Sequence, residues 1–475
     1  MNPPRLARRS VLAGALAIPA LGHASAAEPF RFKGWRGQET DAERGAFEVP
    51  EDRRDPASRR IRLTYVRFPS TAARPGPPIV YLAGGPGVTG TGAAAGPRFP
   101  VFQALRQVAD VIAFDQRGTG ASNAIPRRPR SAGPPPALTR EGLTAYFRDE
   151  LRAAWADWTR AGVAMRGYNT EESADDVDAL RRHLGAERID LWGISYGTHL
   201  ALSVLKRHPS RVRRVALASL EGQDQTVKRP ARVDAYLRRM DALLGADPQA
   251  RAAVPDLPAL MRRMHARYEA HPVKAPVRLG GARSEVEVGG FAIQMVAGGM
   301  VADPRLLVML PAMYRALDAG QTSTLAPFLA DMDGLLTVTG MPEAMDLASG
   351  VSAHRLAQVR TEARTAVMGD SLNFPLPHLL GTVADIDLGS AFRARFRIDH
   401  PALLAAGTLD GRTPLEEQAE VVAQFSRRSR ILVENAGHNV WEAHPGVQAR
   451  LVQFFAGQDA PDLTLTLPPP SFLLG

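Results

Sequence analysis

The 475-residue sequence contains no cysteine. That absence removes a thiolate nucleophile, a disulfide framework and any cysteine-ligated zinc or iron–sulfur centre. Lysine is scarce as well. Lys33, Lys206, Lys228 and Lys274 are the only lysines among 58 basic residues, which outnumber the 49 acidic ones to give a net charge of +9. The arginines are spread along the chain, and a dense run such as Arg127-Arg128-Pro129-Arg130 has no interleaved aromatic residue. A surface that tracks phosphates gathers its basic groups on one face, so this dispersed charge predicts no nucleic-acid partner. The chain also lacks a repeat of roughly 20–50 residues, a low-complexity tract, and both the GK[ST] and GxGxxG phosphate loops.

Long apolar runs are missing too. Val11 to Leu21 is shorter than the about 20 residues that span a bilayer. It follows Arg5, Arg8 and Arg9 and precedes the small residues Ala24-Ser25-Ala26-Ala27. Charged, apolar and small-residue segments in that order predict a cleaved export leader over residues 1–27. Ala7-Arg8-Arg9-Ser10-Val11-Leu12 resembles a twin-arginine signal, which implies export of an already folded chain. A cysteine-free protein suits that route, since it needs no oxidation afterwards. The mature protein is expected to be periplasmic or extracellular, without stable insertion into a membrane once the leader and its three positive charges are gone.

The whole sequence is 45% hydrophobic and 23% charged, the balance of a folded protein. Its length predicts a large domain with an insertion, or two domains. Arg60 to Phe68 alternates with period two and reads as an exposed antiparallel strand. The short apolar runs Pro78–Ala83, Val111–Phe114, Ile189–Ile194, Val212–Ala218, Ala402–Ala406 and Arg430–Glu434 suit strands buried on both faces of a largely parallel sheet. Helical periodicity between them, in Glu171–Leu184, Tyr196–His208 and Val447–Phe455, predicts an open α/β sheet with helices on both faces. Residues 225–390 break this alternation. They carry helical patterns over Arg232–Leu244, Leu257–Ala270, Arg305–Leu317 and Ala353–Ala366, with a Gly-rich strand-like patch at 276–299. They are expected to form a mostly helical cap inserted into a core built from residues 28–224 and 391–475.

Gly193-Ile194-Ser195-Tyr196-Gly197 fits G-x-S-x-G and lies between a strand run and a helix run. So tight a turn strains the backbone of its central residue and presents Ser195 at the C-terminal edge of the sheet, at a helix N-terminus that favours a developing anion. A nucleophilic serine needs a base from a loop after a late strand, and His438 follows such a run in Ile431-Leu-Val-Glu-Asn-Ala-Gly-His438. The acid that orients it should follow the preceding strand, where Asp410 stands in Gly407-Thr-Leu-Asp410-Gly-Arg-Thr-Pro414; Asp399 lies before that strand. The carboxylate would hold the imidazole tautomer and stabilise the imidazolium formed during attack. An oxyanion hole is expected from the amides of Tyr196 and of a glycine in Ala83-Gly84-Gly85-Pro86-Gly87, with Gly85 favoured over Gly84. His199, one helical turn beyond Ser195, is expected to pack against the sheet.

These stretches resemble the proline iminopeptidase and tripeptidyl aminopeptidase family of α/β-hydrolase serine peptidases. The resemblance rests on AGGPG (83–87), DQRGTGAS (115–122), NTEESADDVDALRRHLG (169–185), GISYGT (193–198), GTLDGRTP (407–414) and AGH (436–438). It implies the α/β-hydrolase fold, the triad Ser195, Asp410 and His438, and cleavage of peptide or amide bonds near a free N-terminus. It implies no metal and no cofactor. Proline iminopeptidases usually carry a histidine where Ala83 stands, and exported tripeptidyl-type relatives often carry cap cysteines, absent here. An aminopeptidase must also offset the desolvation of a substrate ammonium with a carboxylate. Glu221, beyond the strand Val212–Ala218, and its neighbour Asp224 are the expected partners; an ion pair of Glu221 with Arg229 or Arg232 is the structural alternative. The expected substrate is an oligopeptide or a small aminoacyl compound. An esterase or lactonase on the same triad, and a non-catalytic binding protein on a hydrolase scaffold, are the competing readings.

Overall fold

The computed structural model describes residues 27–474, apart from 124, 132, 280–281, 331–333, 335 and 384–385. The leader expected over residues 1–27 therefore lies, but for its last residue, outside the described residues. Among the described residues ten strands form one sheet. They are β1 (Glu28–Lys33), β2 (Glu39–Pro50), β3 (Arg60–Phe68), β4 (Gly76–Leu82), β5 (Ala109–Phe114), β6 (Ile189–Ile194), β7 (Val212–Ala218), β10 (Ala402–Gly407), β11 (Arg428–Glu434) and β12 (Leu463–Thr466). A separate antiparallel pair, β8 (Val273–Leu279) and β9 (Ala282–Val288), lies between β7 and β10 in the chain.

The order across the sheet is β1-β2-β3-β5-β4-β6-β7-β10-β11-β12, antiparallel from β1 to β5 and parallel from β5 to β12. The continuous apolar runs follow from this position. In β4, Val80 and Leu82 face one core while Ile79 and Tyr81 face the other, and in β6 Leu191 and Trp192 divide in the same way. A central strand covered on both sides has no solvent face to fill with polar residues. The same reason corrects one expectation. β3 is antiparallel, but Leu63, Tyr65, Val66 and Phe68 are buried, because β3 is flanked by β2 and β5 rather than lying exposed.

Between β7 and β10 the chain leaves the sheet and is mostly helical. The helix Leu257–Ala270 has the expected bounds, whereas Arg305–Leu317 is split into Pro304–Leu307 and Leu310–Asp318. Pro311 cannot donate to the carbonyl one turn back and instead opens the second helix. Gly290–Met300, within the patch read as strand-like, is a helix whose Phe291, Ile293, Ala297 and Met300 are buried. Apolar packing there outweighs the poor helix propensity of its glycines.

Contacts also cross the boundary expected at 224/225. Leu138 bridges to Val288, Tyr146 donates its hydroxyl to the Leu336 carbonyl at 2.9 Å, and Arg148 Nε donates to the His378 carbonyl at 2.6 Å. The helix Arg140–Arg160, which precedes β6 in the chain, is thus fastened to the segment that follows β7.

Candidate active site

The turn after β6 holds Ser195 at φ 55° and ψ −130°, a left-handed conformation for a non-glycine residue. Such a residue costs about 1–3 kcal/mol and persists only where its surroundings over-determine it. Here they do. The Ser195 amide donates to the Ala218 carbonyl of β7 at 3.1 Å, and its carbonyl accepts from the amide and hydroxyl of Thr198, both at 2.7 Å. Gly197 lies so close to β4 that an added Cβ would sit 2.0 Å from the Leu82 carbonyl oxygen. The helix Tyr196–Arg207 then runs away from the serine with Leu200, Ala201 and Leu205 buried.

Asp410 follows β10 and is fully buried. His438 follows β11, and its Nδ1 donates to Asp410 at 3.0 Å from both carboxylate oxygens. Asp410 Oδ1 also accepts from the amides of Arg412 and Thr413, each at 2.9 Å, and Oδ2 from the Thr413 hydroxyl at 2.7 Å. Burial pushes the Asp410 pKa up, but the facing imidazole and these hydrogen bonds outweigh it and hold the carboxyl below its ordinary value. The His438 carbonyl accepts from Ser219 Oγ at 2.7 Å. Ser219 follows directly on Ala218, which anchors the Ser195 amide, so adjacent residues at the end of β7 locate both the serine turn and the histidine loop, one by its carbonyl and the other by its hydroxyl. Asp399 is exposed and held by Arg397 and Ser426, away from this arrangement.

Ser195 lines a cavity of about 110 Å³ together with Gly85, Glu221, Lys228, Asp346 and Arg412. Residues 372–376 close it from the segment between β7 and β10. Gly84 backs directly onto the serine, since a Cβ there would lie 3.0 Å from Ser195 Cβ, while Gly85 is the glycine that reaches the cavity wall. The side chain of Tyr196 turns away, its hydroxyl meeting Thr170 and Met345, so only its backbone faces the reacting position. His199 is buried, with Nδ1 3.0 Å from the Gly222 carbonyl oxygen and Nε2 3.0 Å from Ser349 Oγ; burial lowers its pKa.

The two expected ammonium partners separate. Glu221 lines the cavity, its amide fixed by Thr198 Oγ1 at 2.8 Å. It pairs with Lys228 Nζ at 2.8 Å rather than with Arg229 or Arg232. Burial raises the Glu221 pKa, but Lys228 and His199 outweigh it and leave it lowered. Asp224 does not reach the serine. It accepts from the Ser352 amide at 2.7 Å and hydroxyl at 2.6 Å, and lines a different cavity with Arg355 and Arg393. Asp346 and Lys228 lie in no motif, and Arg412 stands within GTLDGRTP with no role expected of it. Asp346 accepts no side-chain hydrogen bond among the described residues, and burial together with the Glu221 charge pushes its pKa up to about 8. Lys228 and Arg412 lie seven and two residues beyond Glu221 and Asp410, so proximity to those two residues was the available signal.

Among the described residues no group of three His, Asp or Glu side chains is placed to hold a metal ion, and no helix is long and apolar enough to cross a membrane. The sequence model of the alpha/beta hydrolase fold family matches residues 77–269. The serine protease Hip1 of Mycobacterium tuberculosis is 32% identical over 190 residues, 36% of this chain and 35% of that protein. The tripeptidyl aminopeptidase of Streptomyces lividans is 30% identical over 194 residues, 37% of this chain and 35% of that protein. The match thus spans about a third of the length of these curated relatives. Among solved structures, the proline iminopeptidase of Mycobacterium smegmatis is 16% identical with a TM-score of 0.42, covering 87% of this chain and 98% of that one. The chain has the α/β-hydrolase fold, whose family model matches residues 77–269, and is similar over about a third of its length to the serine protease Hip1 and to tripeptidyl aminopeptidase.

Proposed function

We propose that the protein is an exported serine hydrolase that cleaves peptide or amide bonds near a free N-terminus through an acyl-enzyme. Ser195 Oγ attacks the carbonyl carbon while His438 Nε2 takes its proton, and the same proton then passes to the leaving amine. Asp410, holding Nδ1–H, keeps the other nitrogen free to accept and stabilises the imidazolium. The amides of Tyr196 and Gly85 receive the oxyanion, where each such donor contributes about 10²–10³ in rate. Water then enters by the same route in reverse and releases the acid. The segment between β7 and β10 acts as a cap over the serine.

The observation that carries the amine-directed reading is the placement of two carboxyl groups, Glu221 and Asp346, in the cavity that holds Ser195. An ammonium entering a site shielded from water needs such a partner. The ion pair of Glu221 with Lys228 favours the second reading, an esterase or lactonase on the same triad, because one carboxylate already has its cation. Turnover of aminoacyl and tripeptidyl arylamides, beside their N-acetylated forms and simple esters, separates the two. Free-amine amides should be cleaved fastest; esters outpacing them with no need for an amine would establish the second. In either case a fluorophosphonate probe should label the wild type and not Ser195→Ala, and an unlabelled wild type would return the protein to the non-catalytic binding class.

A further inference from the structure

Four ionisable side chains line the Ser195 cavity: Glu221, Lys228, Asp346 and Arg412. Glu221 and Lys228 cancel each other at 2.8 Å. The balance is then between Asp346 and Arg412. With Asp346 ionised the cavity is neutral, and with Asp346 protonated it carries one positive charge. Neither state holds the excess negative charge that a lone ammonium would seek. Arg412 is what tips the sum. Its backbone amide is pinned to the acid of the triad, Asp410 Oδ1, at 2.9 Å, so the residue cannot drift from the site. Its side chain is exposed at the cavity and has no hydrogen-bond or ion-pair partner among the described residues, unlike many other arginines of this chain. Arg412 acts on Glu221 and Asp346 only through space, and a guanidinium whose N–H groups are unpaired beside a reaction centre can bind and orient anionic groups, carboxylates above all, through paired N–H donors.

We propose that Arg412 binds a carboxylate of the substrate, so that the preferred substrate is a short zwitterionic peptide with its ammonium toward Glu221 and Asp346 and its carboxylate at Arg412. This rests on the peptidase reading above and narrows it. A neutral or cationic peptide leaves the guanidinium unmatched, whereas a zwitterion satisfies both the guanidinium and the carboxyl groups without changing the net charge of the cavity. Two sources supply the same carboxylate chemistry: the C-terminus of a di- or tripeptide, and an acidic side chain within a longer one.

Binding to the Ser195→Ala protein, followed by calorimetry, tests this without turnover. One ligand pair is a tripeptide acid and its C-terminal carboxamide; the other is a peptide carboxamide containing Glu and its Gln counterpart. The anionic member of at least one pair should bind roughly fivefold to tenfold tighter. That gap should collapse in Ser195→Ala/Arg412→Gln and return in Ser195→Ala/Arg412→Lys. A gap in the first pair assigns the C-terminus, and a gap in the second the side chain. Equal affinities within both pairs, or a gap that survives Arg412→Gln, overturn the proposal. The peptidase reading is judged separately, from wild-type cleavage of the same peptides. Peptides that bind with the expected gap and are never cleaved would end that reading alone.

Discussion

Asp346 and Glu221 stand in one cavity with a single lysine between them, and the lysine is taken by Glu221. Asp346 is left with little water and a like charge nearby, which is why its pKa rises from 3.8 to about 8. The consequence for stability has a definite sign. Between those two values the folded protein keeps a proton that the unfolded chain has released, so this group makes stability fall as pH rises from about 4 to about 8 and then level off. Asp346→Asn cannot titrate and should escape that loss. Relative to wild type, its melting temperature should be higher at pH 9 than at pH 5; a difference that does not change with pH would mean that Asp346 keeps its ordinary pKa. The residue was invisible in the sequence for a physical reason. Ser195, Asp410 and His438 each sit in a local turn that glycines make possible, whereas Asp346 is one aspartate in a helix, Met341–Ser349, brought to the serine only by packing.

The histidine loop is held by an element too short to announce itself, the single turn Val440–Glu442. Trp441 Nε1 donates to the Gly193 carbonyl in the serine turn at 3.1 Å, and its ring lies edge-on to Trp192 of β6 at 6.3 Å. Arg98 reaches from the region of the Gly-rich loop to Asn439 Oδ1 at 3.0 Å and to the Glu442 carboxylate, also at 3.0 Å. Trp441→Phe keeps the packing and strands a buried carbonyl, at a cost of about 1–3 kcal/mol. A melting temperature lowered by a few degrees should accompany it. No change would mean that water replaces the indole. At this scale the buried strands β6 and β7 were legible to the residue, because strands covered on both faces are apolar over most of their length, the one buried charge of β6, Asp190, being paired with Arg213 of β7. The helix Gly290–Met300 was not, since its glycines argue locally for a loop and only distant apolar partners argue for a helix.

Across the whole molecule, the chain between β7 and β10 touches the loops of Asp410 and His438 through Val301 and Ala302. The Val301 carbonyl accepts from the Gly411 amide at 3.1 Å and the Tyr236 hydroxyl at 3.2 Å, and the Ala302 carbonyl accepts from the His438 amide at 3.2 Å. The loops carrying Asp410 and His438 are therefore braced by the same short stretch that ends the helix Gly290–Met300. Gly437 is where this contact is tightest, for a Cβ there would lie 2.4 Å from Pro304 Cδ and 3.0 Å from the Ala302 carbonyl oxygen. Gly437→Ala must push the histidine loop and the brace apart. Displacements near 1 Å cost on the order of 10²-fold in rate, so kcat/KM on a small ester should fall by about that factor while the fold persists. An unchanged kcat/KM would show that the brace does not govern the position of His438.

Local chemistry was enough to find the sheet and the serine turn and to single out Asp410 and His438 on the loops after two late strands. Buried strands, glycine-bounded turns and a base following a late strand all leave their mark within a few consecutive residues. The distribution of charge around the serine was settled elsewhere. Glu221 chose Lys228 over Arg229 and Arg232, Asp224 went to Ser352, the cap residue of another helix, and Asp346 reached the cavity from the segment between β7 and β10 and Arg412 from the loop that follows β10. Pairing depends on distances of a few ångström between residues far apart in the chain, and those distances exist only once the two cores have packed.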